Sequence, residues 1–237
     1  MRKFLNIILS TASMMVIPSI ALSQSTKIPK IIKSSELLMT HNNLSSRHSA
    51  VKIVSLDGSH GSGSYIEIDG SHVIITAKHV VDGGMLFGVL GQNGESVVGE
   101  VIYRASERDI AALKISPLLS RTSVDFIGSE KKDLTVGSYL VYTGYPSSYE
   151  LITATARVSG YRKEIGAILL QGFVWHGSSG AGVIDNEGNL RAVVFAIGAE
   201  KKHDHIQFLE TMVFSHPFTK NDINNIRKSL QESNSRN

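Results

Sequence analysis

Beyond residue 50 the chain alternates short apolar runs with polar turn residues, and the spacing of those runs predicts strands rather than helices. Residues 51–54 form one such run and Asp57-Gly58 closes it. Residues 65–68 and 73–76 are separated by Asp69-Gly70, and an Asp-Gly pair between two apolar runs is a strong hairpin signal. Further strand-like runs fall at 85–90, 97–103, 111–115, 139–142, 152–159, 167–171, 183–184, 192–197 and 211–214. Many short strands broken by glycine turns predict an all-β sandwich or barrel. Only the end carries a helical period: Ile223, Ile226 and Leu230 fall on one face, behind Thr219 or Asn221 as N-cap.

The first 46 residues lack this pattern. Arg2-Lys3 precedes a mostly apolar stretch over 4–20, which is interrupted by Ser10-Thr11-Ala12-Ser13 and Pro18. Ala21-Leu22-Ser23 then places small residues at both cleavage-determining positions. This predicts a cleaved signal peptide over 1–23 and export to a periplasm or beyond. The apolar run is too short and too interrupted for a membrane span, so no stable anchor is expected after cleavage. Residues 24–46 predict a polar N-terminal arm with a short helix around 35–39, and 47–237 the globular domain.

Composition narrows the functional classes. With 42% apolar and 19% charged residues the chain has the balance of a globular protein. The formal net charge is +3, and two of those charges lie in the leader, which leaves the remainder near +1. That is no footprint for nucleic acid, and Arg227, Lys228 and Arg236 alternate with polar residues as a solvated face. There is no cysteine, which excludes disulfides, thiolate metal sites and a cysteine nucleophile. His203-Asp204-His205 has metal-like spacing but no third ligand in sight, so no metal and no cofactor is expected.

The chemistry lies in three separated segments. Trp175-His176-Gly177-Ser178-Ser179-Gly180-Ala181-Gly182 sets a serine among glycines, as an acyl-transfer nucleophile on a tight turn requires. Such a turn alone is a weak signal. Upstream, His79 follows an apolar strand in Thr76-Ala77-Lys78-His79-Val80-Val81, and Asp109 precedes another in Arg108-Asp109-Ile110-Ala111-Ala112-Leu113. An imidazole can take the proton of a serine hydroxyl, and a carboxylate can hold that imidazole in the right tautomer. The order His, Asp, Ser in an all-β chain also excludes an α/β-hydrolase, which runs Ser, Asp, His and alternates strands with helices. Asp57 and Asp82 are rival carboxylates outside the Asp-Ile-Ala-Ala-Leu context.

Taken together these segments resemble the trypsin/chymotrypsin-like serine proteases, in particular the cysteine-free bacterial branches similar to HtrA-type and glutamyl endopeptidase-like enzymes. Gly61-Ser62-Gly63-Ser64 and the His79 segment are similar to the family's G-S-G and T-A-x-H-V-V segments. Val141-Tyr142-Thr143-Gly144-Tyr145-Pro146 resembles its G-[YN]-P turn, and Gly177 to Gly182 its nucleophile turn. The resemblance covers roughly 50–218. It implies two antiparallel six-stranded β-barrels, about 47–125 and about 126–218, followed by a C-terminal helix over about 221–232. It also implies catalytic His79, Asp109 and Ser179, with an oxyanion hole from the backbone of Gly177 and Ser179.

By the same register, Phe173, Val174, His176, Val194, Phe195 and Ala196 would bind substrate, with the edge 193–195 free for an extended peptide backbone. Those residues are apolar apart from His176, which implies a small or apolar side chain before the scissile bond. Ser178 stands where the family has Asp or Asn, so activation by a buried new N-terminus is not expected. Lys78 is expected to point to solvent, and His60 and His72 to be surface residues. Polypeptides are the expected partners, and no PDZ-type domain is expected after Phe218. A catalytically silent binding protein on the same fold is the alternative.

Overall fold

The computed structural model describes residues 40–126, 134–147, 149–202 and 205–235, with 200–202 and 205 as backbone only. The expected signal peptide and most of the expected arm lie outside the described residues.

Twelve strands close into two antiparallel six-stranded barrels. The first runs β1 (Ala50–Val54), β2 (His60–Ile68), β3 (Ser71–Thr76), β4 (Leu86–Leu90), β5 (Ser96–Arg104) and β6 (Ala111–Lys114), closed in the order β1-β2-β3-β6-β5-β4. The second runs β7 (Tyr139–Gly144), β8 (Ile152–Arg162), β9 (Ala167–Gly172), β10 (Gly182–Ile184), β11 (Leu190–Lys202) and β12 (His205–Pro217), closed as β10-β11-β12-β9-β8-β7. Closure covers strand edges wherever neighbouring strands overlap, and leaves an edge free only where one strand outruns its neighbour.

Three apolar clusters explain why some strands read as continuous apolar runs. Tyr65, Ile74, Val89 and Leu113 fill the first barrel, and Leu140, Val158, Leu170, Val194 and Val213 fill the second. The third cluster, with Ile66, Val73, Ile75, Ala112, Leu190, Val193 and Phe218, joins residues of both barrels to the C-terminal helix. Successive side chains on a strand face opposite ways, so Ile74 enters the lumen while Val73 and Ile75 enter the joint. Both faces of β3 are therefore buried.

The same alternation accounts for Gly61-Ser62-Gly63-Ser64 in β2. A Cβ on Gly63 would lie 2.5 Å from Ile74 Cγ2 and 3.1 Å from Ile53 Cδ1, so the lumen side has no room for one. Ser62 and Ser64, on the other face, reach residues of the second barrel. Gly182 N–H, in β10, donates to Ser64 Oγ at 3.1 Å.

Two α-helices accompany the barrels among the described residues. α2 (Lys220–Asn234) buries Ile223, Ile226 and Leu230 as their spacing predicts, and Thr219 is its N-cap, with Asp222 completing a capping box. α1 (His41–Ser49) lies C-terminal to the short helix expected around 35–39, which falls outside the described residues, and runs from the end of the expected arm to the start of β1. It has no apolar stripe, but its polar side chains are bonded to the second barrel. Ser46 Oγ donates to Thr143 Oγ1 at 2.7 Å, and Arg47 Nη1 to Thr153 Oγ1 at 2.9 Å. Helices held by polar docking leave no hydrophobic period to read.

Candidate active site

His79 lies on a single 3-10 turn, Lys78–Val81, that follows β3 directly. Asp109 lies just ahead of β6, which pairs with β3 so that Thr76 faces Ala111. This pairing brings the two residues together across 30 positions of sequence. His79 Nδ1 is 2.6 Å from Asp109 Oδ2, and the His79 backbone N–H donates to Asp109 Oδ1 at 2.9 Å. Carboxylate oxygens of an ionised Asp only accept, so Nδ1 carries the proton and the neutral ring presents its lone pair at Nε2. Burial pushes the Asp109 carboxyl up. The hydrogen bonds of His79, and the positive charge its ring carries when protonated, outweigh it, with a smaller part from His216, and hold the group below its ordinary value.

The rival carboxylates are elsewhere. Asp57 caps its own turn by accepting Ser59 N–H at 2.9 Å, and Asp82 is exposed at the end of the 3-10 turn.

Ser179 sits between β9 and β10 in a turn that packs on β2. Its carbonyl accepts Ser62 N–H at 2.7 Å. A Cβ on Gly61 would lie 2.7 Å from the Val80 side chain and 3.1 Å from the Ser179 carbonyl, so the neighbour of His79 and the serine turn back onto one glycine. The three segments thus converge where β2 and β3 of the first barrel meet the turn of the second. Neither His79 Nε2 nor Ser179 Oγ has a hydrogen-bond partner among the described residues, so the two are not bonded to each other.

Every carbonyl from His176 to Ser179 is engaged. His176 O accepts Ser147 N–H at 2.5 Å, Ser178 O accepts Ala181 N–H at 3.0 Å, and Gly177 O accepts Ser62 Oγ at 2.7 Å. In a planar trans peptide the N–H points opposite to the C=O. Ser178 N–H accordingly turns back to Trp175 O at 3.0 Å and Gly180 N–H to Val194 O at 2.7 Å. The N–H groups of Gly177 and Ser179 have no partner among the described residues. Gly177 has φ +93 and Gly180 φ +90, conformations that glycine adopts without strain.

The expected substrate-binding residues are spread over this region in unequal settings. Phe173 is half exposed and His176 is exposed, with its ring edge-on to Trp175 at 5.5 Å and to Phe208 at 5.9 Å. Val174 and Val194 are buried in the second-barrel core. The backbone of Val194 is also taken, because its N–H donates to Ala181 O at 2.9 Å and its carbonyl accepts Gly180 N–H. The pairing of β10 with β11 ends at Val193, so the edge open to an extended chain starts at Phe195 rather than at Val193. Phe195 lies on His216, and Ala196 is half buried opposite Phe214.

Several residues depart from the sequence expectations. Lys78 Nζ donates to the Ala105 carbonyl at 3.1 Å instead of pointing to solvent. His60 Nε2 lies 3.1 Å from Tyr145 O, and His72 Nδ1 2.6 Å from Tyr65 Oη, so both rings are engaged rather than free on the surface. Ser178 is buried, and its Oγ accepts Trp175 N–H at 3.4 Å where an acid would need an ion pair. His203 and Asp204 lie outside the described residues, and the described residues contain no group of three metal-ligating side chains.

His216 was not singled out by its sequence context. It is buried on β12, stacked on Phe195 with 4.1 Å between centroids, and its Nδ1 has no hydrogen-bond partner among the described residues. A lone histidine in an apolar strand offers no signal until the fold sets it near Asp109.

Comparison with known proteins agrees with this architecture. A family model described as "Trypsin-like peptidase domain" matches residues 61–193. The "Serine protease Do-like HtrA" of Lactococcus lactis is 27% identical over 188 residues, which cover 73% of this chain and 45% of that protein. The "Probable periplasmic serine endoprotease DegP-like" of Bartonella henselae is 29% identical over 143 residues, 58% of this chain and 28% of that protein. The match thus spans less than half the length of either relative. Among solved structures, "HtrA-type protease AlgW with tripeptide" superposes with a TM-score of 0.65 at 19% identity, covering 81% of this chain and 64% of that one. The inactive form of the Rv3671c protease of M. tuberculosis superposes with 0.58 at 22% identity, covering 79% and 91%. At those identities the superpositions speak for the fold alone.

Proposed function

The chain belongs to the trypsin-like peptidase family, and from that premise we propose that it is an exported serine endopeptidase acting through His79, Asp109 and Ser179. The observation that carries the reading is the two-point hold of Asp109 on His79, beside a serine turn whose Gly177 and Ser179 N–H groups have no partner among the described residues.

The steps follow from those positions. Asp109 keeps the proton on Nδ1, so Nε2 is the base. As Ser179 Oγ bonds to the carbonyl carbon of a bound peptide, its proton passes to Nε2 and the C=O π pair moves onto oxygen. That oxyanion is met by the N–H groups of Gly177 and Ser179, dipoles already oriented before charge develops. Collapse breaks the C–N bond, and the Nε2 proton leaves on the amine. Water then attacks the acyl-serine ester by the same route and restores Ser179. The imidazolium formed in each half is stabilised by the ionised Asp109.

Polypeptides are the substrates in this reading. Phe173, His176 and Ala196 border the primary pocket, with the β11 edge from Phe195 onward pairing with the substrate backbone. The apolar lining favours a small or apolar side chain before the scissile bond. Export rests on the leader pattern over 1–23, and the name of the Bartonella relative points to a periplasm.

One observation favours a second reading, a silent binding protein: Ser179 Oγ and His79 Nε2 are not hydrogen-bonded. Labelling with a fluorophosphonate, which reacts only with an activated serine, separates the two. Modification of the wild type at Ser179, absent in Ser179→Ala and His79→Ala, is the expected result. A folded wild type that neither labels nor cleaves casein or a peptide library overturns the enzyme reading.

A further inference from the structure

Ser62 is fully buried on β2 of the first barrel, and each of its polar groups is used. Its N–H donates to Ser179 O at 2.7 Å. Its hydroxyl donates to Gly177 O at 2.7 Å and accepts Tyr145 N–H at 2.9 Å. Its own carbonyl accepts Thr76 Oγ1 at 2.7 Å, three residues before His79. We propose that Ser62 is a positioning residue for the turn that carries Ser179, fixing from the first barrel two of the four peptide planes on which the orientation of the Gly177 and Ser179 N–H groups depends. The proposal rests on the peptidase reading of that turn.

The four planes can be followed one by one. Ser147 N–H holds the plane between His176 and Gly177, and Ala181 N–H holds the plane between Ser178 and Ser179. Ser62 Oγ holds the carbonyl end of the plane between Gly177 and Ser178, whose N–H end is bonded to Trp175 O, and Ser62 N–H holds the carbonyl end of the plane between Ser179 and Gly180, whose N–H end is bonded to Val194 O. Gly177 is the weak point, because a glycine at φ +93 has no Cβ to resist rotation of the plane on either side.

Because Tyr145 N–H occupies the acceptor side of Ser62 Oγ, the hydroxyl proton is left for Gly177 O. Removing the hydroxyl leaves that part-buried carbonyl and the buried Tyr145 N–H without their partner. The nearest relief is rotation of the plane that follows Gly177. Two glycines make the approach possible: a Cβ on Gly144 would lie 2.6 Å from Ser62 Oγ, and one on Gly180 would overlap Ser62 O.

The test is Ser62→Ala, assayed on a peptide substrate beside Tyr65→Phe, which removes a hydrogen bond to His72 elsewhere on β2. Ser62→Ala is expected to lower kcat by roughly 10- to 100-fold, less than the roughly 100- to 1,000-fold lost when an oxyanion donor is removed outright, with KM within about twofold. Affinity for a peptide boronate, whose tetrahedral adduct needs the same donors, should fall with kcat, while a product peptide binds as before. Tyr65→Phe should lose stability without moving kcat or boronate affinity. A folded Ser62→Ala enzyme with wild-type kcat and boronate affinity overturns the proposal, as does an equal kcat loss in Tyr65→Phe.

Should Ser62→Ala not fold, Ser62→Cys keeps a weak donor in place. An intermediate kcat there supports the role, and an unchanged kcat overturns it. A wild type that neither labels nor cleaves overturns the peptidase reading and this proposal together, whereas an active wild type matched by Ser62→Ala overturns this proposal alone.

Discussion

The imidazole of His216 lies face to face with the ring of Phe195, with 4.1 Å between centroids and 11° between planes. Stacked and buried, it sits where a proton is hard to accommodate. Burial lowers its pKa from the ordinary 6.5, and the positive charge of Arg108 adds to this, while the carboxylates of Asp109 and Asp222 act against it.

This depression gives a stability profile with a definite sign. The folded state keeps His216 neutral while the unfolded chain takes up a proton near its ordinary value, so stability falls as pH drops through 6.5 toward the lower folded value. Asp109, held below its ordinary 3.8, contributes in a separate window: its share is present above 3.8 and is lost as pH falls through the folded value. Denaturant melts of the wild type and His216→Phe between pH 7.5 and 5 should diverge, with the variant losing less stability on acidification. Parallel curves would show that His216 does not carry the effect.

Asp109→Asn keeps the shape of the side chain but removes the charge that holds Nδ1–H. The amide can donate to the ring and select the wrong tautomer, so kcat should fall roughly ten-thousand-fold with the melting temperature little changed. Steady-state kinetics beside thermal melts check it. A loss under tenfold would mean that His79 is oriented by something else.

α2 is anchored by a fully buried carboxylate. Asp222 receives Arg108 at 2.6 and 2.9 Å and Tyr103 Oη at 2.8 Å, while closing the capping box with Thr219. Burial, then the charge of Asp222, pushes the Tyr103 phenol up to about 12, so it remains a donor at any working pH. Asp222→Ala leaves Arg108 without its partner and should cost about 3–5 kcal/mol by urea unfolding. Asp222→Asn, which still accepts hydrogen bonds, should lose clearly less.

Two glycines with positive φ separate strain from space. Gly58, at φ +83, has nothing within 4 Å of an added Cβ, so Gly58→Ala should cost only the left-handed conformation, about 1–2 kcal/mol. At Gly180 a Cβ would overlap Ser62 O, which is backbone and cannot swing aside, and Thr76 Oγ1. Gly180→Ala should therefore cost about 3 kcal/mol or more. Equilibrium unfolding of the pair measures the difference, and equal costs would mean the turn is looser than this packing allows.

The amino-acid sequence by itself determined the strands, most of the turns, the C-terminal helix with its Thr219 cap, and the three segments that hold His79, Asp109 and Ser179. These are local features. Alternation, Asp-Gly pairs, capping residues and a serine among glycines each declare themselves within a few positions. Tertiary structure decided what depends on contact across the chain. α1 forms without an apolar face because Thr143 and Thr153 meet its polar side chains. β11 and β12 run 13 residues each, well beyond their apolar centres, because each backbone pairs with the other.

The Asp-Ile-Ala-Ala-Leu context already set Asp109 apart from Asp57 and Asp82, but its contact with His79 at 2.6 Å needed the pairing of β3 with β6. The free edge of β11 needed the end of β10, and the roles of Ser62 and His216 needed two barrels brought together. A hydrogen bond between Ser62 and Gly177, 115 positions apart, and stacking of Phe195 on His216 across neighbouring strands leave no period and no motif in either partner, and only the folded chain makes them visible.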